Sequence, residues 1–288
     1  MSEGSTVAPR RTVRPQTGGG TRIATRGIMR LRRITVVVVA TALLQTAGLL
    51  ADPIAVRQIE GTNHGLLSLR ATDGRLIASG EQTQTVRGDR ITLHLVFRFK
   101  DGSLSDERTT FSQRGAFRLI SYSLVQRGPS FPRAIDMTID AASGQVVVRS
   151  VDDHGESKTD TERLDLPADV SNGMMNTVLK NVPPAELPRT VSYVAATPKP
   201  RLVKLVIQNG GLAPFSAGGA SYKATHYVIK IDIGGLEGLL APLVGKEPPD
   251  SHLWILRGDA PVFIRSETTL FMGGPMWRIE PASITWPR

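Results

Sequence analysis

Five histidines, His64, His94, His154, His226 and His252, are the chain's candidates for metal ligation, because it contains no cysteine. None belongs to an HxH, HExxH or other close ligand pair. His94 and His226 each fall on the polar side of an alternating segment, where they could meet across a sheet and hold a metal. A solvent-facing or hydrogen-bonded imidazole is the commoner outcome, so no metal is expected. Carboxylates stand side by side at Asp106-Glu107 and Asp152-Asp153. Successive strand residues point to opposite faces, so neither pair is a natural acid–base dyad, and a solvated turn or edge is the simpler reading.

Ser221 sits in Gly219-Ala220-Ser221-Tyr222-Lys223. This run lacks the final glycine of a nucleophile elbow and precedes a strand where the elbow precedes a helix. Gly-Gly pairs at 210–211, 218–219, 234–235 and 273–274 match no phosphate loop and read as turns and bulges. No catalytic residue, no metal and no cofactor is expected.

The elements that would carry these residues are mostly strands. Ile91, Leu93, Leu95, Phe97 and Phe99 alternate with Thr92, His94, Val96 and Arg98, the signature of a half-buried strand. Alternation recurs at Ile135, Met137 and Ile139, at Val203, Leu205 and Ile207, and at Tyr227, Ile229, Ile231 and Ile233. Turn signals are short and evenly spaced: Asp73-Gly74, Gly88-Asp89, Asp101-Gly102, Gly115, Gly128-Pro129, Ser143-Gly144 and His154-Gly155. Strands of about ten residues joined by tight turns pair consecutively, as a meander, and such a sheet twists and curls.

One helix interrupts the pattern, predicted near 169–181. Asp169 can cap it, Val170, Met174, Met175, Val178, Leu179 and Val182 form its apolar stripe, and Pro183-Pro184 ends it. Leu236 to Val244 reads as a short helix or an apolar loop. The last strands are predicted at 253–256, 262–271 and 277–280. The fold expected is mainly β: a curved antiparallel sheet, a half-barrel or barrel-like meander, with one amphipathic helix on its concave side.

The net charge of +9 is concentrated ahead of this domain. Residues 1–51 hold eight arginines and one acid, Glu3, which leaves 27 basic and 25 acidic residues, a net of +2, for the rest. A near-neutral domain argues against a nucleic-acid partner. Residues 1–28, rich in Ser, Thr, Pro, Gly and Arg, read as a disordered basic extension. Residues 29–51 read as a signal peptide or an N-terminal membrane anchor. Met29 offers an alternative start, Arg30, Arg32 and Arg33 form a positive n-region, and an apolar run extends from Ile34.

Ile34 to Leu50 would be about 26 Å long as a helix, the short limit for a bilayer span. Leu49 at −3 weakens cleavage before Asp52, and Thr46-Ala47-Gly48 offers an alternative site. Either outcome puts the domain, 57–288, outside the cytoplasm: periplasmic or secreted, or held at the inner membrane by the uncleaved leader.

The runs Phe99-Lys100-Asp101-Gly102-Ser103, Leu164-Asp165-Leu166-Pro167, Ala195-Ala196-Thr197-Pro198-Lys199-Pro200-Arg201 and Gly273-Gly274-Pro275-Met276-Trp277-Arg278-Ile279-Glu280 resemble those of uncharacterised secreted bacterial β-rich proteins. In layout the chain resembles the periplasmic lipoprotein-carrier half-barrels, without a shared motif. Neither resemblance carries a functional residue. What the residues themselves suggest is an apolar trough. The concave face, with Leu95, Phe97 and Phe99, would meet the helix stripe of Met174, Met175 and Leu179, and an apolar or lipid-like ligand would fill what the helix leaves open. Plain core packing is the simpler reading of the two methionines, and the alternative role for the chain is a non-catalytic interaction or structural domain of the envelope.

Overall fold

Each glycine turn read from the sequence lies at the junction of two strands. The computed structural model describes residues 52–151, 155–217, 219–232 and 248–282. The leader, the Leu236–Val244 run and Asp152-Asp153 lie outside them. Eight strands form the first meander: β1 (Asn63–Ala71), β2 (Leu76–Arg87), β3 (Arg90–Phe99), β4 (Leu104–Ser112), β5 (Arg118–Arg127), β6 (Ile135–Asp140), β7 (Gln145–Val151) and β8 (Ser157–Arg163). The helix α1 (Met175–Asn181) and a 3-10 turn at Pro184–Glu186 follow. Six strands form the second meander: β9 (Arg189–Ala195), β10 (Arg201–Ala217), β11 (Ala220–Asp232), β12 (Ser251–Leu256), β13 (Val262–Thr268) and β14 (Trp277–Pro281).

Pairing of β1 with β14 joins the two meanders into one antiparallel sheet of fourteen strands. Its edges, β8 and β9, do not pair with each other, so the sheet curls without closing. The segment that includes α1 runs from one edge to the other.

Register identifies the concave face. Ile91, Leu93, Leu95 and Phe97 of β3 stand opposite Phe111, Thr109, Glu107 and Ser105 of β4, which stand opposite Leu119, Tyr122, Leu124 and Gln126 of β5. The core on this face joins both meanders. It gathers Ile91, Phe111, Tyr122, Met137 and Val148 with Val191, Ile207, Tyr227 and Ile255, and with Met174, Val178 and Leu179 of the crossing segment. The helix therefore lies on the concave side, as the apolar stripe requires.

The helix is shorter than predicted, seven residues instead of about fourteen. Gly173 adopts φ of +66°, a left-handed conformation that stops the helix from extending toward Asp169. Asp169 is not its cap. Residues 169–172 instead run along the free edge of β9. Val170 bridges Ser192, and Ser171 N–H donates to Ser192 C=O at 2.9 Å. Ser192 N–H donates to Asp169 Oδ2 at 3.0 Å. Asn172 pairs twice with Val194, its Oδ1 accepting from the N–H at 2.8 Å and its Nδ2 donating to the C=O at 2.9 Å. These bonds replace the missing ladder and cover an edge that would otherwise present unpaired backbone groups. At the other end of α1, the Arg257 guanidinium donates to Lys180 C=O at 2.8 Å and to Leu179 C=O at 3.0 Å. A cation there satisfies orphan carbonyls and complements the helix dipole.

A strap ahead of residue 57 also belongs to the fold. Ile54 is buried in the core, Ala55 bridges Ala116, and Asn181 Oδ1 accepts from the backbone N–H groups of Arg57 and Gln58. One apolar residue and one bridge have no periodicity to detect.

Candidate functional site

The concave face is filled at two levels. Toward one end of β3, Ile91 lies in the large core with Met174 and Leu179, and Met175 packs against that core while staying half-buried. Toward the other end, Phe97 and Phe99 join a second cluster with Leu69, Ala78, Phe131, Trp277 and Ile279. Phe99 meets Phe131 edge-on at 5.3 Å and Trp277 at 5.4 Å. Gly80 lies directly beneath Phe97, where any Cβ would stand 2.4 Å from the ring. The six residues expected to line one trough therefore divide. Met174, Met175 and Leu179 belong to the helix end, and Leu95, Phe97 and Phe99 to the aromatic end.

Between the two levels lies a belt of partly buried residues. Leu67, Leu93, Leu95, Glu107 and Phe263 all face inward by register, yet each keeps part of its surface accessible, as do Met175 and Tyr193. Fully packed neighbours such as Ile91 and Phe97 do not. Within this belt the polar groups converge. Tyr122 Oη donates to Glu107 Oε1 at 2.8 Å. Tyr193, from β9 on the opposite wall, interacts with both. Burial pushes the Glu107 carboxyl above its usual range, partly offset by the Tyr122 hydrogen bond. Burial, with the nearby Glu107 charge, pushes both tyrosines up as well, so both remain neutral phenols. Among the described residues no lysine, arginine or histidine pairs with Glu107. Beside this group, Gly173 packs so closely on Thr109 that a Cβ there would collide with its hydroxyl.

Glu107 was read as half of a solvated pair. The opposite-face argument holds: Asp106 turns outward to His94, with Nε2 and Oδ1 2.8 Å apart, while Glu107 turns in. The expectation of a solvated site fails for Glu107, because the curled sheet encloses it. Tyr122 and Tyr193 had no signal of their own. Their strands show mixed polarity, and only closure of the sheet brings them together.

His94 and His226 do not meet. His226 Nε2 lies 2.9 Å from His252 Nδ1 on the outer face and stacks on Trp254 at 4.5 Å. Desolvation first, then the His252 charge, lowers the His226 pKa. Among the described residues no three His, Asp or Glu side chains form a group able to hold a metal. Trp254 packs with Ala224 and Ile264 on that face, under the Arg265 guanidinium at 4.0 Å. Ser221 is an exposed strand residue. Gly210-Gly211 coincides with a bulge of β10, and a Cβ at Gly210 would collide with the His226 ring.

The sequence matches no family model and no curated protein. A solved structure from Brucella abortus, described as a beta-barrel-like protein of domain of unknown function DUF1849, is similar at 10% identity and a TM-score of 0.44. The match covers 80% of this chain and 100% of that one. Among the described residues no helix is long and apolar enough to cross a membrane.

Proposed function

We propose that this is a non-catalytic envelope protein that is exported by its leader and binds an apolar or amphipathic ligand inside its curled sheet. One observation carries the reading. Leu67, Leu93, Leu95 and Phe263 face inward by register and, like Met175, are only partly buried at the rim of the two dense clusters. Apolar surface left exposed inside a fold is surface a ligand can bury, at about 25 cal/mol per Å². The compartment follows from the arginines and the apolar run of residues 29–51.

Lipid extraction of the protein recovered from the bacterial envelope, followed by mass spectrometry, tests the binding role. A stoichiometric amphiphile is expected, displaced by N-phenyl-1-naphthylamine with a rise in its fluorescence. An empty protein that gives no fluorescence rise defeats the reading. A periplasm-dependent reporter fused after Arg288 tests export, and activity of a cytoplasm-only reporter there would refute it.

A second reading, a structural or interaction domain, draws on the arm formed by β10 and β11. The arm carries a 67% exposed Leu212 and a Phe215–Tyr222 stack at 5.3 Å. An exposed apolar residue such as Leu212 on this hairpin suits a protein partner.

A further inference from the structure

Resting on the reading of the interior as a binding site, we infer that Glu107 receives the cationic amine head of an amphiphile whose tail lies along Leu93, Leu95 and Phe263. The carboxyl faces inward, opposite Leu95 on one side and Leu124 on the other. One of its oxygens accepts from Tyr122 Oη, and the other accepts no hydrogen bond from the described residues. Tyr122 from β5 and Tyr193 from β9 interact with it, Leu95 and Leu124 stand opposite it, and Ser105 and Thr109 flank it on the same face of β4; no cation among the described residues pairs with it. The surrounding protein desolvates the carboxyl, while Glu107 as a residue is only partly buried.

A carboxylate taken out of water without a partner is costly, and an ammonium brought by the ligand removes that cost. Two phenol rings beside the carboxylate add cation–π attraction. An anionic head would be repelled, and a hydroxyl head would gain a hydrogen bond without the charge. One acid without a cation partner, two aromatic rings and the leucines beside them therefore suit an alkylammonium.

Calorimetric titration of the envelope-purified protein with octylammonium, octanol and octanoate tests the assignment. Octylammonium is expected to bind about tenfold or more tightly than octanol, with octanoate weakest; a tenfold ratio corresponds to about 1.4 kcal/mol. Glu107→Gln keeps an acceptor for Tyr122 and should bring octylammonium down to the level of octanol. Glu107→Asp, which keeps the charge, serves if the glutamine variant loses its native circular dichroism, and it should retain part of the preference. Equal binding of octanol and octylammonium overturns the amine assignment and leaves the interior site standing, as does a preference that survives Glu107→Gln. If none of the three binds, the interior site itself fails and the assignment falls with it.

Discussion

At one end of the concave face a separate stretch of chain, Val170 to Val182, fills the curl. At the other end the strands and their turns fill it with their own side chains, Phe97, Phe99, Phe131, Phe271 and Trp277. The two ends close by different means. The helix end depends on a crossing segment pinned at both ends, by the Asp169–Asn172 bonds to β9 and by Arg257 at the carbonyl end of α1. The aromatic end depends on ring packing, with Gln126 Nε2 donating to Leu270 C=O at 2.9 Å as a polar tie between the two meanders. A crossing segment can be loosened without unpairing a strand, and a ring cluster built into β3 and β14 cannot. The belt of partly buried residues lies between a closure that can yield and one that cannot.

Substitutions can break this contrast. The largest effect is expected at the aromatic end. Phe97→Ala empties a site that is 1% exposed and should cost about 3–5 kcal/mol in denaturant unfolding. A loss under about 1 kcal/mol would mean that the cluster is loosely packed. Next comes the pair of methionines. Met174, 2% exposed, should cost about 2–5 kcal/mol on change to alanine. Met175→Ala should cost clearly less, because its side chain is half-buried at the belt. Equal losses would place both in dry core and fill the belt. Met175→Trp sharpens this point: it should block probe binding with little loss of stability, whereas in a closed core it would overpack.

Asn172→Ala is expected to cost about 1–3 kcal/mol, since it strands the N–H and C=O of Val194. It should also speed hydrogen exchange in β9 while leaving β3 and β14 protected. Exchange that rises uniformly would show that the two closures unfold together. The smallest effect is at Glu107. Its folded pKa is raised, so its contribution to stability is full below its unfolded value and is lost as pH rises through the folded value. Glu107→Gln should remove that loss, giving a thermal midpoint at pH 8 at or above the native one and a flatter profile from pH 4 to 8. A native profile that rises over that range would contradict the sign.

Much of the fold was legible because antiparallel meanders are local. Asp101-Gly102 ends β3 and starts β4, Gly102 has φ of +86°, and the period-two run from Ile91 to Phe99 matches β3. The helix was legible in position but not in length. Its apolar stripe continues through Val170 and Met174 whether those residues are helical or lie on an edge strand, and only the β9 edge decides which. Of the residues expected to line the trough, Leu95 and Met175 are partly buried, while Phe97, Phe99, Met174 and Leu179 are buried in the two clusters. The inward position of Glu107 went unseen because Leu104 to Thr110 has no hydrophobic alternation to show which face is inside.

By itself the sequence determined the strand order within each meander, the turns, the helix stripe and the excess of arginine in the N-terminal segment, because neighbours along the chain fix all of these. Tertiary structure alone decided that β1 pairs with β14, that Asp169 and Asn172 seal β9, and that Glu107, Tyr122 and Tyr193 meet. Tyr122 and Tyr193 lie on opposite walls, and what joins them is the curl of a fourteen-stranded sheet. That curl is the sum of small twists between many strand pairs, and no local run of residues encodes the sum.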